Sequence, residues 1–178
     1  MLTRIETNSI LYMEALMLHK EIINGLNSQL TKELESQLIY LTMASELAQA
    51  GYNGMSSFFI KQAEEELTHA MKIYNYIVSN GCVANISSIN MKKRIYKNPH
   101  DVYSTAYKHE EYITGSINKL MELAIELKDY ATVAMLQWFV TEQKEEEQRM
   151  LLYVQKLAQA NNNNAALLMI DHEASSNK

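Results

Sequence analysis

Four glutamates in this sequence stand at positions where the spacing of their neighbours predicts a buried apolar side chain. Glu66, for example, shares a helical face with Phe59, Ala63 and Ala70, which recur at the three- and four-residue spacing of a buried helical stripe. A single glutamate is most simply a solvated surface residue. Here, however, each of four helical segments places one carboxylate in its apolar stripe, and this pattern indicates a carboxylate cluster inside the protein. The four positions are Glu33, Glu66, Glu110 and Glu146.

The four carboxylates are also expected to lie at one level. Glu110 and Glu146 are at similar sequence distances from the turn between the last two long segments, and Glu33 and Glu66 from the turn between the first two. At about 1.5 Å per residue, each lies near the middle of its helix. Four such carboxylates would repel one another and lose their hydration. A bound pair of divalent cations would remove this cost.

His69 strengthens the metal interpretation, because it follows Glu66 by three residues and lies on the same helical face. Glu-x-x-His on one bundle helix, with glutamates from the partner helices, is the ligand pattern of di-iron carboxylate proteins. Carboxylates with one imidazole suit Fe²⁺ or Mn²⁺ better than zinc or copper. The other histidines are interpreted as surface or structurally satisfied residues: His19, His100, His109 and His172.

The elements that must position these side chains are all helical. One proline, five glycines and nearly continuous helical periodicity predict an all-α protein without strands. Glycine and proline residues and the N-cap residue Asp129 mark where the helices are expected to begin and end. Helices are predicted over about 20–50, 56–80, 99–128 and 129–160, with Asn53–Gly54 as the first turn and a short fifth helix at 165–170.

The connections predict how the helices are arranged. Two tight turns predict two antiparallel hairpins, and the segment 81–98 between them is long enough to run the length of a helix. One long crossover between two hairpins is the ferritin-like arrangement of a four-helix bundle. The predicted organisation is an extension over residues 1–16, the bundle over 17–160, and the fifth helix and tail over 161–178.

Composition excludes several other classes of protein. The net charge of −5 argues against nucleic-acid binding, and the basic run Lys92-Lys93-Arg94 is interpreted as a solvated loop. One cysteine, Cys82, cannot form an internal disulfide or a Cys-x-x-Cys site; it is interpreted as an ordinary thiol near a helix end. No stretch is apolar for long enough to span a bilayer, and no signal peptide is evident. A cytoplasmic location is expected.

From about residue 17 onward, the chain resembles the bacterial-type non-haem ferritins. Five segments carry the resemblance: Lys32-Glu33-Leu34, Glu64-Glu65-Glu66-Leu67-Thr68-His69, Tyr107-Lys108-His109-Glu110, Leu136-Gln137-Trp138 and Glu142-Gln143-Lys144-Glu145-Glu146-Glu147.

The resemblance implies a role for each matching residue. Glu33, Glu66 and His69 would hold a first iron, with Glu66 bridging to a second iron held by Glu110 and Glu146. Gln143 occupies an adjacent family position. A third iron would bind Glu65, Glu142 and Glu145, with Glu146 shared. Tyr40 matches a tyrosine beside the di-iron centre, which hydrogen-bonds a ligand or supplies an electron; a core aromatic is the simpler alternative.

The resemblance also implies a function. The chain would form a homo-oligomeric, hollow 24-subunit cage, oxidise Fe²⁺ with O₂ or peroxide as a ferroxidase, and store iron as ferric oxyhydroxide. Residues 1–16 precede the family's usual start and are interpreted as the product of an upstream start codon or an extension outside the core. A functional arm on the cage surface is the alternative.

Two other functions have to be weighed. Bacterioferritins, rubrerythrins and di-iron oxygenases carry a second Glu-x-x-His on the last helix, where this chain has Gln143-x-x-Glu146. Bacterioferritins also bind haem through a methionine at the position of Leu67, so no haem is expected, and one cysteine cannot build the rubredoxin unit of a rubrerythrin. A structural, iron-buffering cage without ferroxidase activity would be indicated by a lost ligand, and none is lost.

Overall fold

The computed structural model describes residues 18–176, and five helices dominate this part of the chain. The predicted extension, residues 1–16, lies outside the described residues. No strand occurs between residues 18 and 176, so the all-α prediction is confirmed. The helices are α1 (Lys20–Gln49), α2 (Asn53–Ser79), α3 (Pro99–Glu126), α4 (Tyr130–Ala160) and α5 (Asn164–Ser176).

The bundle consists of two hairpins and a long crossover, as the connections predicted. Helix α1 packs against α2 and α3, α3 packs against α4, and α5 packs against α2 and α4. The crossover, residues 81–98, contains no helix or strand and presents Lys92, Lys93 and Arg94 to solvent. No helix within residues 18–176 combines the length and the apolar character needed to cross a membrane.

Local capping chemistry fixes several helix ends. The side chain of Asp129 accepts a hydrogen bond from Thr132 N at 3.0 Å, so the predicted N-cap of α4 is confirmed. Pro99 opens α3 after Asn98, whose side chain caps the helix by accepting from Asp101 N. After α1 the chain turns at Gly51, where φ is 89°, a conformation that glycine adopts without steric cost.

The prediction that Asn53–Gly54 forms the first turn is wrong. Both residues belong to α2, and the turn lies just before them. Gly54 is instead a point of close approach: a Cβ there would lie 1.8 Å from the carbonyl oxygen of Asp171 on α5. The side chain of Asp171 also accepts a hydrogen bond from Met55 N at 2.8 Å. Gly54 is therefore required for helix packing and not for chain reversal.

The fifth helix is longer than predicted. It begins at Asn164 and continues to Ser176 instead of ending at Ile170. The added turns bury Ala174 and include Asp171, which ties α5 to the start of α2. Apolar periodicity did not predict this extension, because residues 171–173 are polar.

The bundle core consists of two apolar clusters separated by a buried polar layer. Tyr40, Phe59, Tyr103 and Tyr153 belong to the cluster on the α5 side, and Leu26, Ile73, Ile117 and Phe139 to the other. Along each of the four long helices, buried residues run from apolar to polar and back to apolar. The buried polar side chains between the clusters are Gln29, Glu33, Ser36, Gln62, Glu66, His69, Glu110, Gln143 and Glu146.

Candidate metal centre

Two helices of the first hairpin form a buried group of potential metal ligands. Glu33 on α1 and Glu66 and His69 on α2 each offer one ligand atom, and these atoms lie within 4.8 Å of one another. The three side chains are buried. They were predicted as the first iron site, and the fold brings them together because the antiparallel hairpin places mid-helix residues of α1 beside those of α2.

Several polar atoms in this layer are buried without a hydrogen-bond partner among residues 18–176. They are Glu33 Oε2, Glu66 Oε2, His69 Nδ1 and Glu146 Oε1. A buried polar atom left unpaired typically costs about 1–3 kcal/mol, and more when it is charged, so such atoms need an explanation. A cation bound by these oxygens and this nitrogen would satisfy them. The donor set therefore fits a hard divalent metal ion.

Glu110 on α3 is held in place by two hydrogen bonds. The Tyr40 hydroxyl donates to Glu110 Oε1, and Gln143 Nε2 donates to Glu110 Oε2 at 2.9 Å. Burial raises the pKa of Glu110 to about 7. The pKa of Tyr40 lies well above its usual value because the hydroxyl is buried and faces the Glu110 carboxyl. Tyr40 therefore keeps its proton and can orient Glu110.

Glu146 on α4 is held by a residue of α2 and a residue of its own helix. Gln62 Nε2 donates to its Oε2 at 2.8 Å, and Arg149 Nη1 lies 3.4 Å from its Oε1. Burial raises the pKa of Glu146 to about 8, even though the charge of Arg149 acts in the opposite direction. Arg149 also donates to Gln62 Oε1 at 2.6 Å, so Arg149, Gln62 and Glu146 form one chain of hydrogen bonds.

The four carboxyl groups interact electrostatically. Burial raises the pKa of Glu66 well above its usual range, and the charges of Glu110, Glu33 and Glu146 raise it further. Burial likewise raises the pKa of Glu33 and lowers that of His69 to about 4. Without metal, the site therefore retains protons on its carboxyls and a neutral imidazole. An entering cation would displace protons from the carboxyls and bind His69 Nδ1, which lies 3.5 Å from Glu66 Oε2 and has no hydrogen-bond partner among residues 18–176.

The residues of the implied third iron site have a different environment. Glu65 is half-exposed and accepts a hydrogen bond from Arg149 Nη1 at 2.7 Å. Glu145 is exposed. Burial and the neighbouring Glu145 raise the pKa of Glu142, and the charge of Arg149 lowers it.

Sequence reasoning did not identify two residues that contact the carboxylates, Arg149 and Gln62. Arg149 follows Glu146 by three residues and Gln62 precedes Glu66 by four, and residues at these spacings share a helical face.

The remaining histidines lie apart from the ligand group. His109 is buried, its Nε2 lies 2.8 Å from Ser36 Oγ, and its ring contacts Tyr40 edge-on. Burial lowers its pKa to about 4, so it is a structurally satisfied, neutral residue. His19 and His172 are exposed and His100 is half-buried. Leu67, at the position of a haem-ligating methionine, is 41% exposed.

The raised carboxyl pKa values predict how stability depends on pH. In the unfolded chain Glu110 and Glu146 titrate near 4.5, whereas in the folded protein they do so at about 7 and about 8. The folded state therefore holds protons that the unfolded state has released, and stability falls as pH rises. His69 and His109 act in the opposite direction, but only below about pH 6.5, where their unfolded forms take up protons.

The metal-free protein should accordingly lose stability between about pH 7 and pH 8.5. Denaturant unfolding at the two pH values, with the assembly state checked, measures this change. Glu146→Gln should reduce the loss, whereas the control Glu64→Gln, at an exposed position on α2, should leave it intact. Constant or rising stability over this interval in the wild type would contradict the description of the site.

A four-helix bundle with one crossover, carrying carboxylates from all four helices and one Glu-x-x-His histidine in a buried layer, defines a ferritin-like protein. Residues 23–160 match the family model described as a ferritin-like domain. The chain belongs to this family, and its resemblance to the bacterial non-haem ferritins is confirmed.

Relatives and solved structures agree with this assignment. The chain is 36% identical over 129 residues to a bacterial non-heme ferritin of Campylobacter jejuni, covering 72% of this chain and 77% of that protein. It is 35% identical to a bacterial non-heme ferritin of Staphylococcus aureus, covering 72% and 78%. Its fold is similar to that of an open pore ferritin from the archaeon Archaeoglobus fulgidus, with a TM-score of 0.88, 34% identity and coverage of 90% and 99%.

Proposed function

We propose that this protein stores iron and is a ferroxidase. It oxidises Fe²⁺ with O₂ or H₂O₂ at the buried centre and deposits ferric oxyhydroxide in the cavity of a 24-subunit cage in the cytoplasm. The observation that carries this proposal is the buried polar layer, where carboxyl oxygens of Glu33, Glu66 and Glu146 and the nitrogen of His69 lack hydrogen-bond partners among residues 18–176. Membership of the ferritin-like family supports iron storage.

Each ligand has a distinct part in binding the substrate ions. Glu33 and His69 hold the first Fe²⁺, and Glu66, whose carboxyl interacts with both Glu33 and Glu110, bridges to the second. Glu110 and Glu146 complete the second position. Gln143, which donates to Glu110 Oε2, orients that carboxylate.

Protons and electrons balance through these groups. Two Fe²⁺ ions give up two electrons, which together with two protons convert O₂ to H₂O₂. The carboxyls whose pKa values are raised release their protons as the ions enter, because a nearby positive charge favours the ionised form. Tyr40 keeps its proton in the free site and holds Glu110 by hydrogen bonding.

Exposed apolar side chains support self-assembly. Leu38 and Leu41 on α1 are 39% and 43% exposed, and with Met91 of the crossover they line one shallow cleft. Neighbouring exposed apolar groups are typical of protein interfaces. A second copy of the chain is the partner that the cage requires.

The test of storage is iron loading of the purified protein in air. Fe²⁺ added in large excess should produce soluble ferric iron that co-elutes with an assembly of about 24 subunits on size-exclusion chromatography. The same iron without protein should precipitate. A protein that stays monomeric, or one that leaves the iron insoluble, would refute the proposal.

The protein should contain no haem when it is isolated. The position that would need a methionine sulfur is occupied by Leu67, whose side chain offers no ligand atom. The absorption spectrum of the purified protein, before and after incubation with haem, tests this expectation. A stoichiometric Soret band with the signature of methionine ligation would contradict it.

A further inference from the structure

Arg149 bridges two helices at the edge of the carboxylate layer. Its Nη1 donates to Gln62 Oε1 at 2.6 Å and to Glu65 Oε2 at 2.7 Å. The same atom lies 3.4 Å from Glu146 Oε1. The side chain is 30% exposed, so most of it is buried where it reaches from α4 to α2. One guanidinium thus contacts two of the glutamates that were implied as ligands of a third iron.

The charges around Arg149 fit a permanent cation at this position. Although burial works against the charged guanidinium, the carboxylates of Glu146, Glu65 and Glu142 raise its pKa. Arginine stays ionised at any physiological pH, and its charge in turn favours the ionised form of Glu142. Lys72, whose Nζ lies 4.1 Å above the Trp138 ring, adds a second positive charge that also lowers the pKa of Glu142.

A third metal ion would have to compete with this guanidinium. Bound to Glu65 and Glu146, the ion would lie beside a fixed positive charge already within 2.7 Å of one carboxylate and 3.4 Å of the other. Of the other two implied ligands, Glu142 and Glu145, Glu145 is exposed and would bring only a solvated carboxylate. The residues present therefore do not fit a third iron as they fit the buried centre, where Glu33 Oε2, Glu66 Oε2 and His69 Nδ1 lack a hydrogen-bond partner among residues 18–176.

We propose that Arg149 takes the place of the third metal ion, so that its guanidinium neutralises Glu65, Glu142 and Glu146 and restricts metal binding to the buried centre. This inference rests on the proposed function only in taking the buried centre as the site where iron binds. It replaces the third iron implied by the family resemblance with a side chain of the protein.

The test counts Fe²⁺ bound per subunit by equilibrium dialysis under argon, with elemental analysis. Arg149→Leu should bind one more ion per subunit than the wild type, and the added ion should be lost in the double variant Arg149→Leu/Glu142→Gln. The control Lys156→Leu removes a cation two turns further along α4, where Lys156 pairs with Glu173, and should leave the count unchanged.

Glu142→Gln alone keeps Arg149 in place and provides a second, independent measurement. It should leave the wild-type count unchanged, because no ion depends on Glu142 while the guanidinium is present. A count that falls in this variant would overturn the proposal, as would an Arg149→Leu protein that binds no additional ion. Glu66→Ala distinguishes a failure of this proposal from a failure of the proposed function. It should lower the number of ions bound at the buried centre. Adding Arg149→Leu to Glu66→Ala should still raise the number of bound ions by one per subunit.

Discussion

Replacing Glu66 with alanine is expected to abolish the fast oxidation of Fe²⁺ while the subunits still assemble. Glu66 is 1% exposed, shares a ligand group with Glu33 and His69 and interacts with Glu110. Under the proposed function its loss would remove the bridge between the two metal positions. Losing a group that only supports a metal ligand typically costs about 10–100-fold. The initial rate should therefore fall by more than about 100-fold.

The measurement is the initial rise of ferric absorbance after aerobic addition of a few Fe²⁺ per subunit. Glu64→Ala is the matched control, since Glu64 precedes Glu66 by two residues on α2 but is exposed. It should oxidise iron at the wild-type rate. A Glu66→Ala protein that is correctly assembled and retains the wild-type initial rate would remove Glu66 from the centre.

Replacing Glu66 with leucine should have opposite effects on stability and activity. In the metal-free protein this carboxyl carries the cost of burial and of repulsion by Glu110 and Glu33, which raise its pKa. Exchanging a buried ionisable group for a packed apolar one is often neutral or stabilising, by up to about 1–4 kcal/mol. Leucine would also continue the apolar stripe from Phe59 to Ile77. The variant should be more stable than the metal-free wild type and inactive in iron oxidation.

Thermal and denaturant unfolding of chelator-treated proteins measure this effect, with the assembly state checked in both. Glu64→Leu, at the exposed position on the same helix, controls for helix propensity and should change stability little. Adding Fe²⁺ under argon should stabilise the wild type, because a ligand of the native state favours folding, but not Glu66→Leu. If the variant unfolds more easily than the metal-free wild type, the carboxyl of Glu66 makes a stabilising contact and is not the strained group described here.

The parts of the fold that depend on local chemistry were predictable from the sequence. Helical periodicity, the N-cap Asp129 and the first-turn Pro99 gave α3 and α4 nearly as the structure has them. The stripe positions of the four glutamates follow from the same periodicity, and all four are buried. The two hairpins then bring these positions into one layer.

The features that sequence reasoning missed depend on contacts between distant segments. Gly54 resembles a turn residue in sequence, but its missing Cβ makes room for the Asp171 carbonyl, more than a hundred residues away. In the sequence, Arg149 and Gln62 look like ordinary polar helix residues, because the hydrogen bond between them forms only in the folded bundle. No local propensity encodes such pairings, so only the tertiary structure identifies them.

Anaerobic titration with Fe²⁺ followed by addition of O₂ tests the central claim most directly. The wild type should bind about two Fe²⁺ per subunit at the buried centre, as expected for a di-iron site. Glu66→Ala should lose these ions, and O₂ should oxidise them rapidly in the wild type with release of H₂O₂. A wild-type protein that binds no Fe²⁺ dependent on Glu66, or that binds it and leaves it unoxidised in O₂, would contradict the assignment of a ferroxidase centre.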